Sequence, residues 1–107
     1  MASYLDLDTP GDIIGQRRKE LHMTQTEIAR KMGYRNPNFL SMMESGSSRV
    51  PLERCQEIAD ILEMDQIWFL QRVLADHFPG VASTLFAVES LERMLADARR
   101  REAGAPP

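Results

Sequence analysis

At 107 residues, 43% of them hydrophobic and 27% charged, the chain has the make-up of one globular domain, which sets aside disordered, collagen-like and two-core organisations. The net charge of -3 excludes a uniformly basic nucleic-acid binder, yet it is unevenly spread: residues 11–50 carry seven Lys or Arg against four Asp or Glu, and residues 51–107 six against ten. No run of bulky apolar residues exceeds the four from Ile67 to Leu70, too few to span a bilayer, and the single cysteine, Cys55, excludes an intrachain disulfide or a zinc site of paired thiolates.

Residues 1–10 read as a flexible leader. Asp6 and Asp8 stand where a secretory signal would carry basic residues ahead of an apolar stretch, so the cytoplasm is the expected compartment. Thr9-Pro10-Gly11-Asp12 reads as a turn feeding a first helix from about Asp12 to His22, with Ile14, Arg18 and Leu21 at helical spacing. Thr24 and Glu27 have the spacing of a capping box, which starts a second helix near Gln25. Ile28, Ala29 and Met32 form its apolar side, and Gly33 its end.

Asn36 as cap and Pro37 at the first helical position predict a third helix to about Glu44, with Leu40 and Met43 inward and a stop near Gly46. Pro51 opens a fourth helix, ending near Met64, whose stripe of Leu52, Cys55, Ile58, Ala59 and Leu62 makes Cys55 a buried thiol. Asp65 caps a fifth. Its many apolar residues include Trp68 and Phe69, read as core or dimer packing over a ligand pocket, and Pro79-Gly80 breaks the chain after it. A last helix, Val81 to about Arg101, carries Val81, Leu85, Val88, Leu91, Leu95 and Ala98 at spacings of three and four, a seam for a partner helix, before a flexible tail over 103–107.

Two short helices joined by a turn suit the major groove, which admits one helix. From Asp12 to Met64 the sequence resembles the Cro and lambda-repressor type of helix-turn-helix domain, the XRE family. The resemblance is carried by Thr24-Gln25 before Glu27-Ile28-Ala29, by Gly33, Ser41 through Glu44, Gly46 and Pro51, and by Ile58-Ala59 with Leu62. It implies that the third helix reads bases through Pro37, Asn38, Ser41 and Met42, Asn38 pairing with adenine and Met42 touching a thymine methyl. It also implies that Gln25 holds a phosphate at the start of the second helix and that Arg18 and Glu44 form a structural ion pair. Arg35, Arg49 and Lys19 are candidate phosphate contacts, although Lys19 and Arg17 read equally well as solvated charges. The sequence departs from the family in a turn one residue longer at Tyr34-Arg35-Asn36, in the proline opening the third helix, and in His22 where glycine is common.

His22 and His77, the two histidines, lack a second ligand at metal-binding spacing, and no phosphate loop or nucleophile elbow is present, so neither enzyme, metal site nor cofactor is expected. The expectation is an all-α protein: a lambda-repressor-like helix-turn-helix bundle over 11–64 and a C-terminal helical dimerisation extension over 65–102, with Leu85, Val88, Leu91 and Leu95 at the seam. Its expected role is a dimeric repressor of a palindromic operator in double-stranded DNA. Two alternatives stay open: an antitoxin or adaptor whose acidic C-terminal half binds a protein partner, and a scaffold that has lost DNA binding.

Overall fold

The computed structural model describes residues 3–103, apart from the side chains of Phe86, Val88, Glu89, Ser90, Leu91, Arg93 and Ala103. Among these residues the chain forms seven α-helices and no strand: α1 (Pro10–Glu20), α2 (Gln25–Lys31), α3 (Asn38–Ser45), α4 (Cys55–Ile61), α5 (Gln66–His77), α6 (Pro79–Phe86) and α7 (Val88–Ala103). Of the tail expected over 103–107, residues 104–107 lie outside the described residues.

Short-range side-chain bonds start α1, α2 and α5. Thr9 Oγ1 accepts from the Asp12 amide at 3.3 Å, so α1 begins at Pro10 rather than Asp12. Thr24 Oγ1 accepts from Glu27 N at 3.0 Å while Glu27 Oε1 accepts from Thr24 N at 3.3 Å, a complete capping box on α2. Asp65 Oδ1 accepts from Trp68 N at 2.8 Å and starts α5.

Three helices stop in the same way, with one residue left-handed and two amides turned back onto the last carbonyls. In α2 this residue is Gly33, at φ +84, with Tyr34 N donating to Ala29 O. In α1 it is His22, at φ +57, with Met23 N donating to Arg18 O, which ends the helix at Glu20 rather than His22. In α4 it is Glu63, at φ +53, with Met64 N donating to Ala59 O. The fourth helix expected over Pro51 to Met64 is therefore shorter: a 3-10 turn at Leu52–Arg54 precedes it and the left-handed Glu63 closes it.

One apolar core joins the first five helices. Ile13 and Ile14 of α1, Ile28 of α2, Leu40 of α3, Ile58 of α4, and Phe69 and Val73 of α5 are all fully buried. Each such side chain contributes about 1.5–3 kcal/mol by leaving water, which is what fixes the mutual packing of short helices that are marginal alone. Ala82 is the one core-type buried residue that α6 supplies among the described residues.

Two expectations are corrected. Residues 3–7 are not a flexible leader. Ser3 caps a 3-10 helix at Tyr4–Asp6, Tyr4 N donates to Glu20 Oε2 at 3.1 Å, and the Tyr4 ring meets Trp68 edge-on at 5.6 Å. Tyr4 and Leu7 are half-buried against the core, and that burial is what orders the segment. The long last helix is two helices, α6 and α7, parted at Ala87, whose backbone is extended (φ -65, ψ 138). Pro79 opens α6 at its first position instead of merely breaking the chain. A single extended alanine leaves the three-and-four spacing unchanged, so periodicity carries no mark of this break. α6 packs on α5 and α7 continues beyond it, so the radius of gyration reaches 17.5 Å, against ~13 Å for a compact 100-residue domain, and α6–α7 form an arm off the five-helix core.

Candidate nucleic-acid interface

The α2–turn–α3 unit is held from behind and open in front. Leu40 and Met43 anchor α3 in the core, while Asn38, Ser41, Met42 and Ser45 are exposed. Those four positions follow the i, i+3, i+4, i+7 spacing of one helix face, so α3 presents a continuous outward edge. The helix packs against α1 and α2.

The start of α3 is set by the Asn36 side chain, whose Oδ1 accepts from Asn38 N at 3.0 Å, and by Ser41 N donating to Pro37 O at 2.9 Å. Pro37, expected as the first helical residue, is instead the N-cap just before α3 (φ -82, ψ 5), and the Asn36 side chain reaches past it to the Asn38 amide. Among the described residues the Asn38 amide side chain makes no hydrogen bond, which leaves both its donor and its acceptor uncommitted. Met42 is 44% exposed, a large apolar side chain in the middle of a polar edge. Ser45 Oγ donates to Met42 O at 3.1 Å on the exposed side, at the far end of the edge before Gly46, at φ +83.

Gln25 is half-exposed at the first position of α2, beside amides that the capping box leaves free. Arg35 is exposed in the turn and Arg49 just after α3. Lys19 is exposed on α1 and lines a shallow hollow with Gly15, Gln16 and Glu44. Its neighbour Arg17 is not a solvated charge: Nε donates to Leu62 O at 2.9 Å and Nη2 to Glu63 O at 3.1 Å, tying α1 to the end of α4. The Arg17 guanidinium also lies 4.7 Å from the Tyr4 ring centroid.

Arg18 and Glu44, paired by the resemblance, meet through two hydrogen bonds, Nε to Oε2 at 2.8 Å and Nη2 to Oε1 at 3.0 Å. The hydrogen-bonded carboxylate holds the Arg18 guanidinium above its ordinary pKa, against the opposing effect of burial. Leu85 and Leu95 of the expected seam are 52% and 57% exposed, on α6 and α7 respectively. The side chains of Val88 and Leu91 lie outside the described residues.

Sequence reasoning missed two supports of this unit. Arg54 Nη2 donates to Met32 O at 2.6 Å, and its guanidinium lies 4.7 Å from the Tyr34 ring, which itself tilts against Phe39 at 5.3 Å. This stack packs the longer turn, so the extra residue does not loosen the approach to α3. Gly11 lets α1 cross the end of α3, since a Cβ there would sit 2.3 Å from Met43 O. Two glycines four apart inside a helix, Gly11 and Gly15, are the one sequence signal that pointed to such a crossing.

Residues 14–65 match the sequence profile of a helix-turn-helix family, a span that holds α2, the turn, α3, α4 and most of α1. No curated protein and no solved structure matches the chain. With its capping box, its glycine-ended α2 and the open edge of α3 inside that span, residues 14–65 form a DNA-binding helix-turn-helix domain of the Cro and lambda-repressor, or XRE, type.

Proposed function

We propose that the protein is a homodimeric transcriptional repressor that reads a palindromic operator, with α3 of each protomer in the major groove of one half-site. The observation that carries this is the outward edge of α3: four exposed positions on one face of a helix whose other face is fully anchored. In this reading Asn38 pairs with an adenine, Met42 packs on a thymine methyl, and Pro37 and Ser41 adjoin the same bases. Gln25, Arg35, Arg49 and Lys19 take phosphates and set the register. One helix of eight residues makes few base contacts, and a two-fold pair reading half-sites about one helical turn apart doubles them. The exposed Leu85 and Leu95, with Val88 and Leu91, supply the dimer interface, and the protein acts in the cytoplasm without catalysis or cofactor.

Selection of bound duplexes from a random pool, at fixed salt, tests this. A two-fold symmetric site is expected, and no enrichment even in dilute salt overturns the reading. Sedimentation of Leu85→Asp with Leu95→Asp tests the interface. Monomers are expected, and a persisting dimer assigns the contact elsewhere.

The acidic half from residue 51 onward, together with exposed Val81, Leu85, Met94 and Leu95 on the α6–α7 arm, favours a second reading, an antitoxin or adaptor whose arm binds a protein partner. Co-purification of a partner enzyme that the Leu85→Asp, Leu95→Asp variant fails to hold distinguishes it from the solitary repressor.

A further inference from the structure

The cleft between α5 and α6 has a volume of about 470 Å³, within the range of small-molecule sites. Small residues make much of its wall: Ala75 of α5, and Pro79 and Ala82 of α6. Its polar groups are Gln71, Arg72 and Ser83, and the Ser83 hydroxyl already donates to Pro79 O at 3.0 Å. Among the described residues Arg72 is the one cation that lines the cleft.

Arg72 is half-buried, with its guanidinium 5.4 Å from the centroid of the Trp68 ring. Stacking of this kind holds the planar fork and leaves its edge donors free. Among the described residues the ion pairs engage Arg17, Arg18, Arg54 and Arg100, and no carboxylate pairs with Arg72. Asp76, one turn further along α5, lines a different cavity beside the end of α3. A stacked, half-buried guanidinium that no described carboxylate pairs, set beside Ala75, Pro79 and Ala82, matches a planar carboxylate on an apolar body.

We propose that this cleft binds a small monocarboxylic acid, the carboxylate taken by Arg72 and the apolar body lying against Ala75, Pro79 and Ala82. The site is separate from the α3 edge and from Leu85 and Leu95. It adjoins α5, whose Phe69 and Val73 enter the core of the DNA-binding domain.

Trp68, the chain's single tryptophan, reports on the site directly. Benzoate and hexanoate, titrated against the full chain, are expected to give a saturable change in its fluorescence, and benzamide and hexanamide none. Arg72→Gln is expected to weaken binding by about tenfold or more, the worth of a hydrogen-bonded charge. Ala75→Leu, which narrows the cleft without touching the charge, is expected to weaken it as well. If circular dichroism shows Arg72→Gln unfolded, Arg72→Lys, which keeps the charge but lacks the fork, carries the same expected loss. A flat response to both acids, an equal response to the amides, or full affinity in the Arg72 variant that folds overturns the proposal.

Discussion

Arg18, near the end of α1, and Glu44, in the last turn of α3, face each other as fork and carboxylate, with side chains only 14% and 13% exposed. Arg18 also donates Nη1 to Met23 O at 3.1 Å, so one guanidinium fixes the loop before α2 and the far end of α3 together. Removing one partner strands the other with its charge half out of water. Arg18→Met and Glu44→Gln are each expected to destabilise the fold by about 2–4 kcal/mol, toward the lower end for a pair not fully buried. Urea titration of both single variants and the double checks this. The double variant should lose clearly less than the sum, and strict additivity would mean that the pair is not coupled.

The α1–α3 crossing rests on an absent side chain. A Cβ at Gly11 would lie 2.3 Å from Met43 O and 2.9 Å from Glu44 O, both backbone atoms that cannot swing away. Gly11→Ala is expected to cost more than about 2 kcal/mol by forcing the helices apart. Gly15→Ala, 3.1 Å from Glu44 Oε1, a side-chain atom that need give only a few tenths of an ångström, should cost less, and Gly80→Ala in the open first turn of α6 should gain about 0.5 kcal/mol. Thermal melts that rank the three otherwise would show that the crossing is looser than its geometry.

His22 holds the left-handed position that closes α1, at φ +57, while Gly33 does the same for α2 at φ +84. An L-residue with a Cβ is strained there by about 1 kcal/mol relative to glycine. His22→Gly is therefore expected to stabilise the fold by roughly 0.5–1 kcal/mol, and Gly33→Ala to destabilise it even though nothing lies within 4 Å of the added methyl. A lower melting temperature for His22→Gly would mean that the imidazole makes a contact worth more than the strain.

Some ends and starts were legible because their signals lie within a few residues: Thr24 with Glu27, Asn36 with Asn38, Asp65 with Trp68, Gly33 with the two carbonyls behind it; the ends at His22 and Glu63, which lack glycine, were not. The outward edge of α3 was legible for the same reason, as a periodicity within one helix. What the sequence hid are meetings between distant residues. Arg17 and Lys19 are near neighbours in a basic run, yet about 200° of helical rotation separates them, so one reaches the carbonyls of Leu62 and Glu63 while the other stays in water. Tyr4 on Trp68 and Arg54 on Tyr34 likewise depend on where separate elements come to rest.

Cys55 is 3% exposed, donates Sγ to Pro51 O at 3.5 Å, and has its pKa pushed up to about 11 by burial and, secondarily, by the charge of Glu53. An unfolded thiol ionises near its ordinary value of 9.0, so the unfolded state loses its proton first as pH rises. The stability that follows is complete below about pH 9 and is lost as pH climbs toward 11. Urea midpoints measured from pH 8 upward should therefore fall more steeply for the native chain than for Cys55→Ala. Parallel profiles would place the thiol in a wetter setting, as would rapid modification by a thiol reagent at neutral pH.

Asn38 and Arg49 should fail in different ways on DNA. Among the described residues the Asn38 amide is uncommitted, and it stands at the start of the α3 edge, so under the proposed reading Asn38→Ala is expected to cost about 1–3 kcal/mol against the preferred site and little against a duplex altered at the base pair assigned to it. Arg49 is exposed beyond the end of α3, and the proposed reading gives it a phosphate rather than a base. Arg49→Ala should weaken all duplexes alike and lower the slope of log affinity against log salt by about 1. Titrating both variants against matched and mismatched duplexes at several salt concentrations separates the two effects. Should Asn38→Ala weaken every sequence equally, base reading would move along the helix to Ser41 and Met42. Should both substitutions be silent, α3 would not be the helix that enters the groove.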